Sequence, residues 1–278
     1  MTISIKKSVY KSFLVLSNTL LFTPLNAEKN GVFLEGGFIY SNFESIEKES
    51  RGPETLKNIG LVPILVPGTA TMQKSNGDLY GADIMLGYKH FFGAKKHWGL
   101  RYYAIFSGQG GSIWQNQNST LGYTQPAANL FYGVGMDILF NLYQKNEHSF
   151  GVFIGAMVGG SSWLMGKSGQ FGQCRFSYLG TCATMNAHYS QLAQQQIKGT
   201  TANFSPTFVQ FIFNLGFRAQ LSRHNGIELG VRIPTIDNPY YTYSSPKENA
   251  AWGVAGASKT TIRFRRNVTA YLNYVYHF

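Results

Sequence analysis

Apolar and polar residues alternate with a period of two in eight separate segments of the chain. Such alternation directs every second side chain of a β-strand to one face and the remaining side chains to the other. The clearest case is the fourth segment, where apolar residues oppose glycines, Asp137 and Asn141. The apolar faces of the eight segments extend from Val32 to Tyr40, Tyr80 to Tyr88, Trp98 to Phe106, Leu130 to Leu142, Phe150 to Val158, Val209 to Phe217, Ile227 to Ile233 and Val268 to Tyr276.

The uncharged segment 149–166 is the one stretch long enough for a membrane helix, but its glycines and serines follow strand spacing. Apolar residues make up 44% of the chain and charged residues 13%, about half the usual share, so much of the outer surface is expected to face something other than water. Unpaired backbone groups are costly in hydrocarbon, so strands that cross a bilayer must close on themselves. The sequence therefore predicts an all-β fold, a closed antiparallel transmembrane β-barrel of eight strands.

Short and long connections alternate between the predicted strands. The short connections are 92–97, 143–148 and 222–225, and the long ones are 44–77, 108–127, 163–205 and 236–260. With an even number of strands, both termini and all short turns lie at one end of the barrel. In outer-membrane barrels that end is periplasmic, so the pattern predicts four long extracellular loops.

The first 27 residues have the pattern of a secretory signal peptide. Lys6, Lys7 and Lys11 precede a short apolar stretch, and Ala27 provides a small residue for cleavage. Residues 28–278 are then expected to form a single barrel domain in the cell outer membrane. Removal of three lysines from the 24 basic residues leaves 21 against 13 acidic residues. For an exported, monomeric barrel, this excess favours outer-membrane lipid and lipopolysaccharide over nucleic acid as the anionic partner.

Several charged residues share the inward parity of their strands. They are Glu35, Asp83, Asp137 and Glu228, together with Lys89, Arg101, Arg218, Arg232, Arg263 and Arg265. An eight-stranded barrel is only wide enough for its own side chains, so these charges form either a salt-bridged plug or the lining of a narrow ion path. Arg266 has the opposite parity, which predicts that it reaches the outer headgroups. There Arg263, Arg265, Arg266, Lys247 and Lys259 either contact lipopolysaccharide phosphates or remain solvated.

The long loops contain three further candidates. Cys174 and Cys182 are the two cysteines of the chain, and a disulfide in the third loop fits an exported protein better than a zinc site or a catalytic thiol. The apolar segment 61–67, with Leu61, Ile64 and Leu65, either covers the barrel mouth as a lid or offers a patch to a partner. In the fourth loop, tyrosines suited to recognition are predicted to form a contact surface. These are Tyr240, Tyr241 and Tyr243.

The end of the chain carries an aromatic stripe, with Tyr274, Tyr276 and the terminal Phe278 on one face of the last strand. This arrangement looks like the insertion signal that the barrel-assembly machinery reads. The tail YLNYVYHF and the segment AEKNGVFLEGGFIYS resemble the Helicobacter outer membrane protein family. The resemblance implies an outer-membrane location and a surface role in adhesion to a host receptor.

No convincing catalytic set is present in the sequence, so the chain is not expected to be an enzyme or to need a cofactor or metal. The competing hypothesis is a narrow porin-like channel for small ions or solutes, with Arg101, Arg232, Arg263 and Arg265 facing Glu35, Asp83 and Glu228.

Overall fold

A computed structural model describes residues 30–278 except 57–63, 94, 118–120, 146, 171–172, 179, 196–198, 247 and 251–252. The proposed signal peptide, residues 1–27, lies outside the described residues. In chain order the strands are β1 (Gly31–Arg51), β2 (Glu54–Leu56), β3 (Ile64–Val66), β4 (Thr69–Phe92), β5 (Trp98–Gln117), β6 (Leu121–Lys145), β7 (His148–Met165), β8 (Gly169–Gln170), β9 (Gln173–Cys174), β10 (Ser177–Tyr178), β11 (Thr181–Cys182), β12 (Thr201–Phe204), β13 (Thr207–Gln220), β14 (Asn225–Pro234), β15 (Asn238–Ser245), β16 (Glu248–Ala250), β17 (Gly253–Ala255) and β18 (Ser258–His277). The helix α1 (Met185–Gln194) lies between β11 and β12.

Eight of these strands form one closed antiparallel ring. Their order around the ring is β1, β4, β5, β6, β7, β13, β14 and β18, and the pairing of β18 with β1 closes it. That last pairing extends from Phe33 with His277 to Arg51 with Ser258. Since every strand of the ring has two neighbours, the wall leaves no unpaired backbone edge in hydrocarbon. The predicted eight-stranded barrel is confirmed.

The outer face of the ring is apolar because the outward positions of each strand carry the hydrophobic residues that the alternation marks. Examples from three strands are Ile154, Phe213 and Leu272, each about half exposed. Inward positions carry polar, charged and aromatic side chains, most of them buried. This arrangement of an apolar exterior and a polar interior is the one that a membrane barrel requires.

The two ends of the barrel differ. The start of β1, the end of β18 and the chain reversals that follow β4, β6 and β13 lie at one end, which we call the turn end. The opposite end, the loop end, carries the long connections. Strands β1, β4, β5 and β6 contain 20 to 25 residues, about twice the length that crosses a bilayer. The loop boundaries predicted at 44 and 77 are therefore wrong, because β1 continues to Arg51 and β4 begins at Thr69.

A β-bulge in β18 corrects the predicted positions of three arginines. Asn42 of β1 faces Val268, but Phe43 faces Arg266, so Asn267 is an extra residue in the ladder. An extra residue reverses which side chains point inward on one side of the bulge. Arg263 and Arg265 are consequently exposed on the outside, although the alternation placed them in the interior. Arg266, which the alternation placed outside, is buried in the barrel with 4% of its surface exposed.

Near the loop end, a different set of strands forms the barrel wall. Strand β14 ends at Pro234, and β15 takes its place beside β18, with β12 paired to β15. Strand β7 pairs with β13 as far as Ser162 opposite Thr207, and above this point α1 contacts both β7 and β12. A separate four-stranded sheet is formed by β16, β17, β2 and β3, in that order, with β3 at its edge.

Candidate functional site

The centre of the barrel interior contains an arginine that bonds to three carboxylates from three other strands. Arg101 on β5 donates from Nη2 to Asp137 Oδ2 at 2.6 Å and from Nε to the same oxygen at 3.0 Å. Its Nη1 donates to Glu228 Oε1 at 2.6 Å and to Glu35 Oε2 at 3.2 Å. All four side chains are buried. Since β1, β5, β6 and β14 are spread around the ring, this cluster crosses the lumen.

A second ion pair lies beside this cluster. Arg232 on β14 donates from Nη1 to Asp83 on β4, and both side chains are buried. Asn273 on β18 joins the two sets, because its Nδ2 lies 2.9 Å from Glu35 Oε1 and 2.9 Å from Asp83 Oδ1. We call these residues and Arg101 with its partners the charge network.

Aromatic and amide side chains hold the charge network in place. The Tyr103 hydroxyl donates to Asp137 Oδ1 at 3.1 Å, and the Tyr271 hydroxyl donates to Asn214 Oδ1 at 2.9 Å. Asn214 in turn donates to Asp137 Oδ2 at 3.2 Å. The Arg101 guanidinium also lies over the Phe153 ring, 4.9 Å from its centroid. Buried charges with this many partners form a rigid set.

Two further inward basic residues lie toward the turn end. Lys89 and Arg218 are both buried, and Lys89 Nζ lies 3.1 Å from His277 Nε2. The Arg218 guanidinium lies 5.2 Å from the Phe91 ring centroid. The structure thus places the predicted interior residues Glu35, Asp83, Asp137, Glu228, Arg101 and Arg232 inside the barrel together with Lys89 and Arg218.

The loop-end half of the interior is filled by apolar side chains instead of charges. Aromatic rings from β1, β7 and β18 meet there. The centroid of the Trp163 ring lies 5.2 Å from the ring centroids of Phe43 and Phe264. The buried members of this apolar cluster are Phe43, Leu79, Ile113, Ala127, Trp163, Met165, Phe176, Met185, Tyr189, Tyr240, Tyr241, Ile262 and Phe264. The lumen is therefore filled at two levels, by ion pairs in its middle and by apolar packing above.

Helix α1 covers the apolar cluster and serves as its cap. Thr184 begins the helix, with its Oγ1 accepting from the Ala187 backbone N–H at 3.1 Å. Met185 and Tyr189, four residues apart on one face, are buried against the cluster.

One asparagine of α1 anchors the cap to the barrel. Asn186 Oδ1 accepts from the Met165 backbone N–H at 3.0 Å and from the Tyr240 hydroxyl at 2.8 Å. Its Nδ2 donates to the Trp163 carbonyl at 3.1 Å. The helix is thus joined to both β7 and β15 by hydrogen bonds.

A disulfide precedes the cap. Cys174 and Cys182 are bonded, with their Cα atoms 5.5 Å apart. Between them, Phe176 is buried in the apolar cluster, and the Arg175 guanidinium lies 4.1 Å from the Tyr123 ring centroid. The cross-link therefore closes a small ring of residues that packs against the barrel beside α1.

Burial shifts the pKa values of residues in the cap and beside it. The pKa of His188 is lowered, first by burial and then by the nearby Arg175 charge. The His188 ring stacks on Phe176, with 4.5 Å between centroids. Burial likewise raises the pKa values of Tyr189 and Tyr240, so these hydroxyls stay protonated.

The predicted contact tyrosines lie in a different environment from the one expected. Tyr240 is fully buried and Tyr241 is 5% exposed, because both pack against Tyr189 of α1. Tyr243 is half-buried against the same cluster. The expectation that Tyr240 and Tyr241 form an exposed contact surface is therefore wrong. A local sequence pattern gives no sign of a helix that packs over them from another loop.

The apolar segment of the first loop is exposed where the structure describes it. Ile64 and Leu65 on β3 are 49% and 70% exposed, whereas Leu61 lies outside the described residues. The apolar cluster at the loop end is instead covered by α1 of the third loop, through Met185 and Tyr189. At the opposite end, the aromatic residues Tyr274, Tyr276 and Phe278 all face outward.

Within the described residues, no group of three or more histidine, cysteine, aspartate or glutamate side chains is arranged to hold a metal ion. Among those same residues, no helix has the length and apolar character needed to span a membrane.

Comparison with known proteins identifies the family. The model of the family described as Helicobacter outer membrane protein matches residues 83–278. The chain belongs to the Helicobacter outer membrane protein family. This match covers seven of the eight ring strands wholly or in part, so the family assignment applies to the barrel itself. No curated protein matches this family member significantly in sequence.

Solved structures resemble this Helicobacter outer membrane protein family member only distantly. OprG from Pseudomonas aeruginosa is 13% identical, with 92% of this chain and 99% of that chain covered and a TM-score of 0.37. The attachment invasion locus protein Ail of Yersinia pestis is 13% identical over 86% of this chain and 99% of that chain, with a TM-score of 0.27. The outer membrane protease OmpT from Escherichia coli is 8% identical over 93% and 100%, with a TM-score of 0.30. Similarities at this level support no inference about function.

Proposed function

We propose that this outer membrane protein is a sealed barrel that displays its loop end at the cell surface for adhesion to a host receptor. The observation that carries the proposal is the filling of the lumen at two levels, by the charge network and by the apolar cluster under α1. A barrel closed in this way offers little to a solute, so the exposed chemistry available for function lies on the loops.

The proposal includes an orientation and a route to the membrane. Export by a signal peptide over residues 1–27 places the turn end in the periplasm and the loop end outside the cell. The barrel-assembly machinery recognises the last strand through Tyr274, Tyr276 and Phe278. The mature chain is then a monomer that needs no cofactor and carries out no catalytic step.

Two surfaces at the loop end support contacts outside the barrel. Arg263 and Arg265 point outward on β18, where lipopolysaccharide phosphates are within reach of their guanidinium groups. Ile64 and Leu65 on β3 are exposed at the edge of the four-stranded loop sheet, and exposed apolar side chains at a sheet edge favour contact with another protein. We assign the receptor contact to β3 and the lipopolysaccharide contact to β18.

The test combines a conductance measurement with a binding measurement on the same protein. Refolded protein is first shown to be a folded barrel by its heat-dependent migration on a gel, and is then added to a planar bilayer. We expect no stable conductance. Charge-selective steps that change with Arg101→Ala would instead support the narrow porin-like channel and overturn the sealed barrel.

Adhesion is tested with bacteria that display the chain and are added to cultured host cells. Replacement of both Ile64 and Leu65 by serine is expected to lower binding at least several-fold. Met72→Ser, which changes another exposed apolar residue of the loop end outside β3, is the matched control and is expected to bind normally. Binding that is unaffected by the β3 change, in a barrel that still folds, would disprove the proposed contact.

A further inference from the structure

The bulge in β18 places an arginine inside the barrel with part of its guanidinium unpartnered. Arg266 is 4% exposed, and its Nη1 donates to Gln109 Oε1 over a long distance of 3.4 Å. The other two nitrogens, Nε and Nη2, are enclosed and have no hydrogen-bond partner. Arg266 forms no ion pair with any residue that the structure describes.

The two unpartnered nitrogens belong to one edge of the guanidinium. The N–H groups of Nε and Nη2 point in nearly the same direction, and this edge binds a carboxylate or phosphate through two parallel hydrogen bonds. A single halide ion also accepts from both groups. The free edge of Arg266 therefore has the geometry that binds a small anion.

The electrostatic surroundings of Arg266 also favour an anion. The charged group that acts on it most strongly is another cation, Arg232, and the carboxylate of Asp83 is already bonded to Arg232. Arg232 Nε is a further enclosed donor without a partner. An arginine does not lose its proton in a protein, so the charge of Arg266 persists in the interior. A buried charge without a counter-charge is strongly unfavourable, and a bound anion removes this penalty.

We propose that the barrel interior holds one small monovalent anion, a halide or a carboxylate of formate size, at the Nε and Nη2 edge of Arg266. The site lies between the charge network and the apolar cluster, and Arg232 adds to its positive potential. Gln109 holds the opposite side of the guanidinium through Nη1, which fixes the direction of the free edge. The inference does not depend on adhesion, since it concerns the interior alone.

The first test locates the ion. Crystals of the refolded protein grown with sodium bromide are measured at the bromine absorption edge. We expect an anomalous peak within hydrogen-bond distance of both Arg266 Nε and Arg266 Nη2. A well-ordered interior with water at this edge and no anomalous peak would overturn the proposal.

The second test measures linkage between anion binding and stability. Thermal unfolding in detergent is followed in sodium chloride, bromide and formate at constant ionic strength, with gluconate as a bulky replacement anion. Because a ligand that binds only the folded state stabilises it, the melting temperature should rise with the concentration of each small anion. A halide response without a formate response would identify the ligand as a halide, and the reverse result would identify a carboxylate.

Variants separate the site from general salt effects. Arg266→Gln should abolish the anion response, while Arg263→Gln, which alters an exposed arginine of the same strand, should retain it. Arg266→Lys keeps the charge but removes the two-donor edge, so its response should be weaker than that of the unmodified protein. An equal response in the unmodified protein and in Arg266→Gln would contradict the site. Should Arg266→Gln fail to fold, the anion series on the unmodified protein and the anomalous map decide the question.

Discussion

Arg101 and Asp137 face each other as register partners on β5 and β6, and Nη2 of the arginine lies 2.6 Å from Oδ2 of the aspartate. The same guanidinium bonds to Glu35 and Glu228, so Arg101 joins acidic side chains from three other strands. Removing a single partner from a buried ion pair leaves an uncompensated charge, which costs far more than the pair itself contributes.

Arg101→Ala is therefore expected to lower the free energy of unfolding by about 3–5 kcal/mol. The measurement is urea-induced unfolding of the refolded barrel in detergent micelles. Arg263→Ala, an exposed arginine on the outer face, provides the control and should change stability by less than about 0.5 kcal/mol. Equal stability of the two variants would show that the charge network contributes nothing to the fold.

The bulge at Asn267 determines which side chains of β18 a water-soluble reagent can reach. The chain has two cysteines, both in the disulfide, so a new cysteine provides a unique reactive thiol. Arg263→Cys and Arg265→Cys place that thiol on the outside, and a water-soluble maleimide should modify both in detergent. Arg266→Cys places it in the interior, where labelling should be at least tenfold slower. Rapid labelling at 266 with protection at 263 and 265 would mean that β18 has no bulge.

The eight-stranded barrel could be predicted from the sequence because strand alternation is a local signal. Whether a residue such as Leu272 faces out or Asn273 faces in depends only on its position relative to its neighbours in the strand. A bulge breaks this rule, and nothing in the local sequence indicates where it occurs. Asn267 is an ordinary strand residue, and it is the extra residue only because of the register in which β1 pairs with β18. Arg263, Arg265 and Arg266 were assigned to the wrong faces for that single reason.

At the loop end, the sequence predicts only those features for which few structural alternatives exist. Two cysteines allow one disulfide, so the pairing of Cys174 with Cys182 follows once export is accepted. The burial of Tyr240 depends instead on α1, a helix from another loop more than forty residues earlier in the chain. Contacts between separate loops have no periodicity in the sequence, and the tyrosine-rich composition alone fits both a binding surface and a packed interior.

The disulfide is expected to stabilise the cap without affecting the barrel wall. Replacing both Cys174 and Cys182 by serine opens a ring of nine residues, and the chain-entropy model assigns to such a ring roughly 2–3 kcal/mol. Limited proteolysis should then cut faster between residues 173 and 195. The temperature at which the barrel loses its compact gel migration should stay the same, because the cross-link lies outside the ring of strands. A lower unfolding temperature of the barrel, together with faster proteolysis, would contradict a role confined to the cap.

Asn186 is expected to be the main polar anchor of α1. Asn186→Leu removes three hydrogen bonds to Met165, Trp163 and Tyr240 and leaves buried backbone groups without partners. Each unsatisfied group costs about 1–3 kcal/mol, so opening of the helix should become much more frequent. Hydrogen exchange of the α1 amides measures this opening. Ser190→Ala, a change in the same helix away from these bonds, should leave exchange nearly unchanged.

The attachment of α1 should depend on pH through His188. Burial and the Arg175 charge lower the pKa of this imidazole in the folded cap below its ordinary value near 6.5. When α1 detaches, His188 regains the ordinary pKa and binds a proton more readily than in the folded state. The cap therefore has its full stability above about pH 6.5 and loses stability as the pH falls from there through the lowered folded pKa.

Protection factors of the α1 amides, which correct for the intrinsic pH dependence of exchange, provide the measurement. They should fall between pH 7.5 and pH 5 in the unmodified protein, while amides of β5 in the barrel wall stay protected. His188→Phe keeps a ring that can stack on Phe176 but has no titrating group, so its protection should be constant over the same range. A fall of equal size in this variant would show that a residue other than His188 controls the pH dependence. Glu47, which acts electrostatically on Tyr189 of the cap, has a pKa that is raised by burial. Burial favours the protonated, neutral form of the Glu47 carboxyl group in the folded state. The effect of pH on this group is therefore opposite to its effect on His188. Protonation of Glu47 at low pH therefore strengthens the cap, so a loss of protection on acidification points to His188.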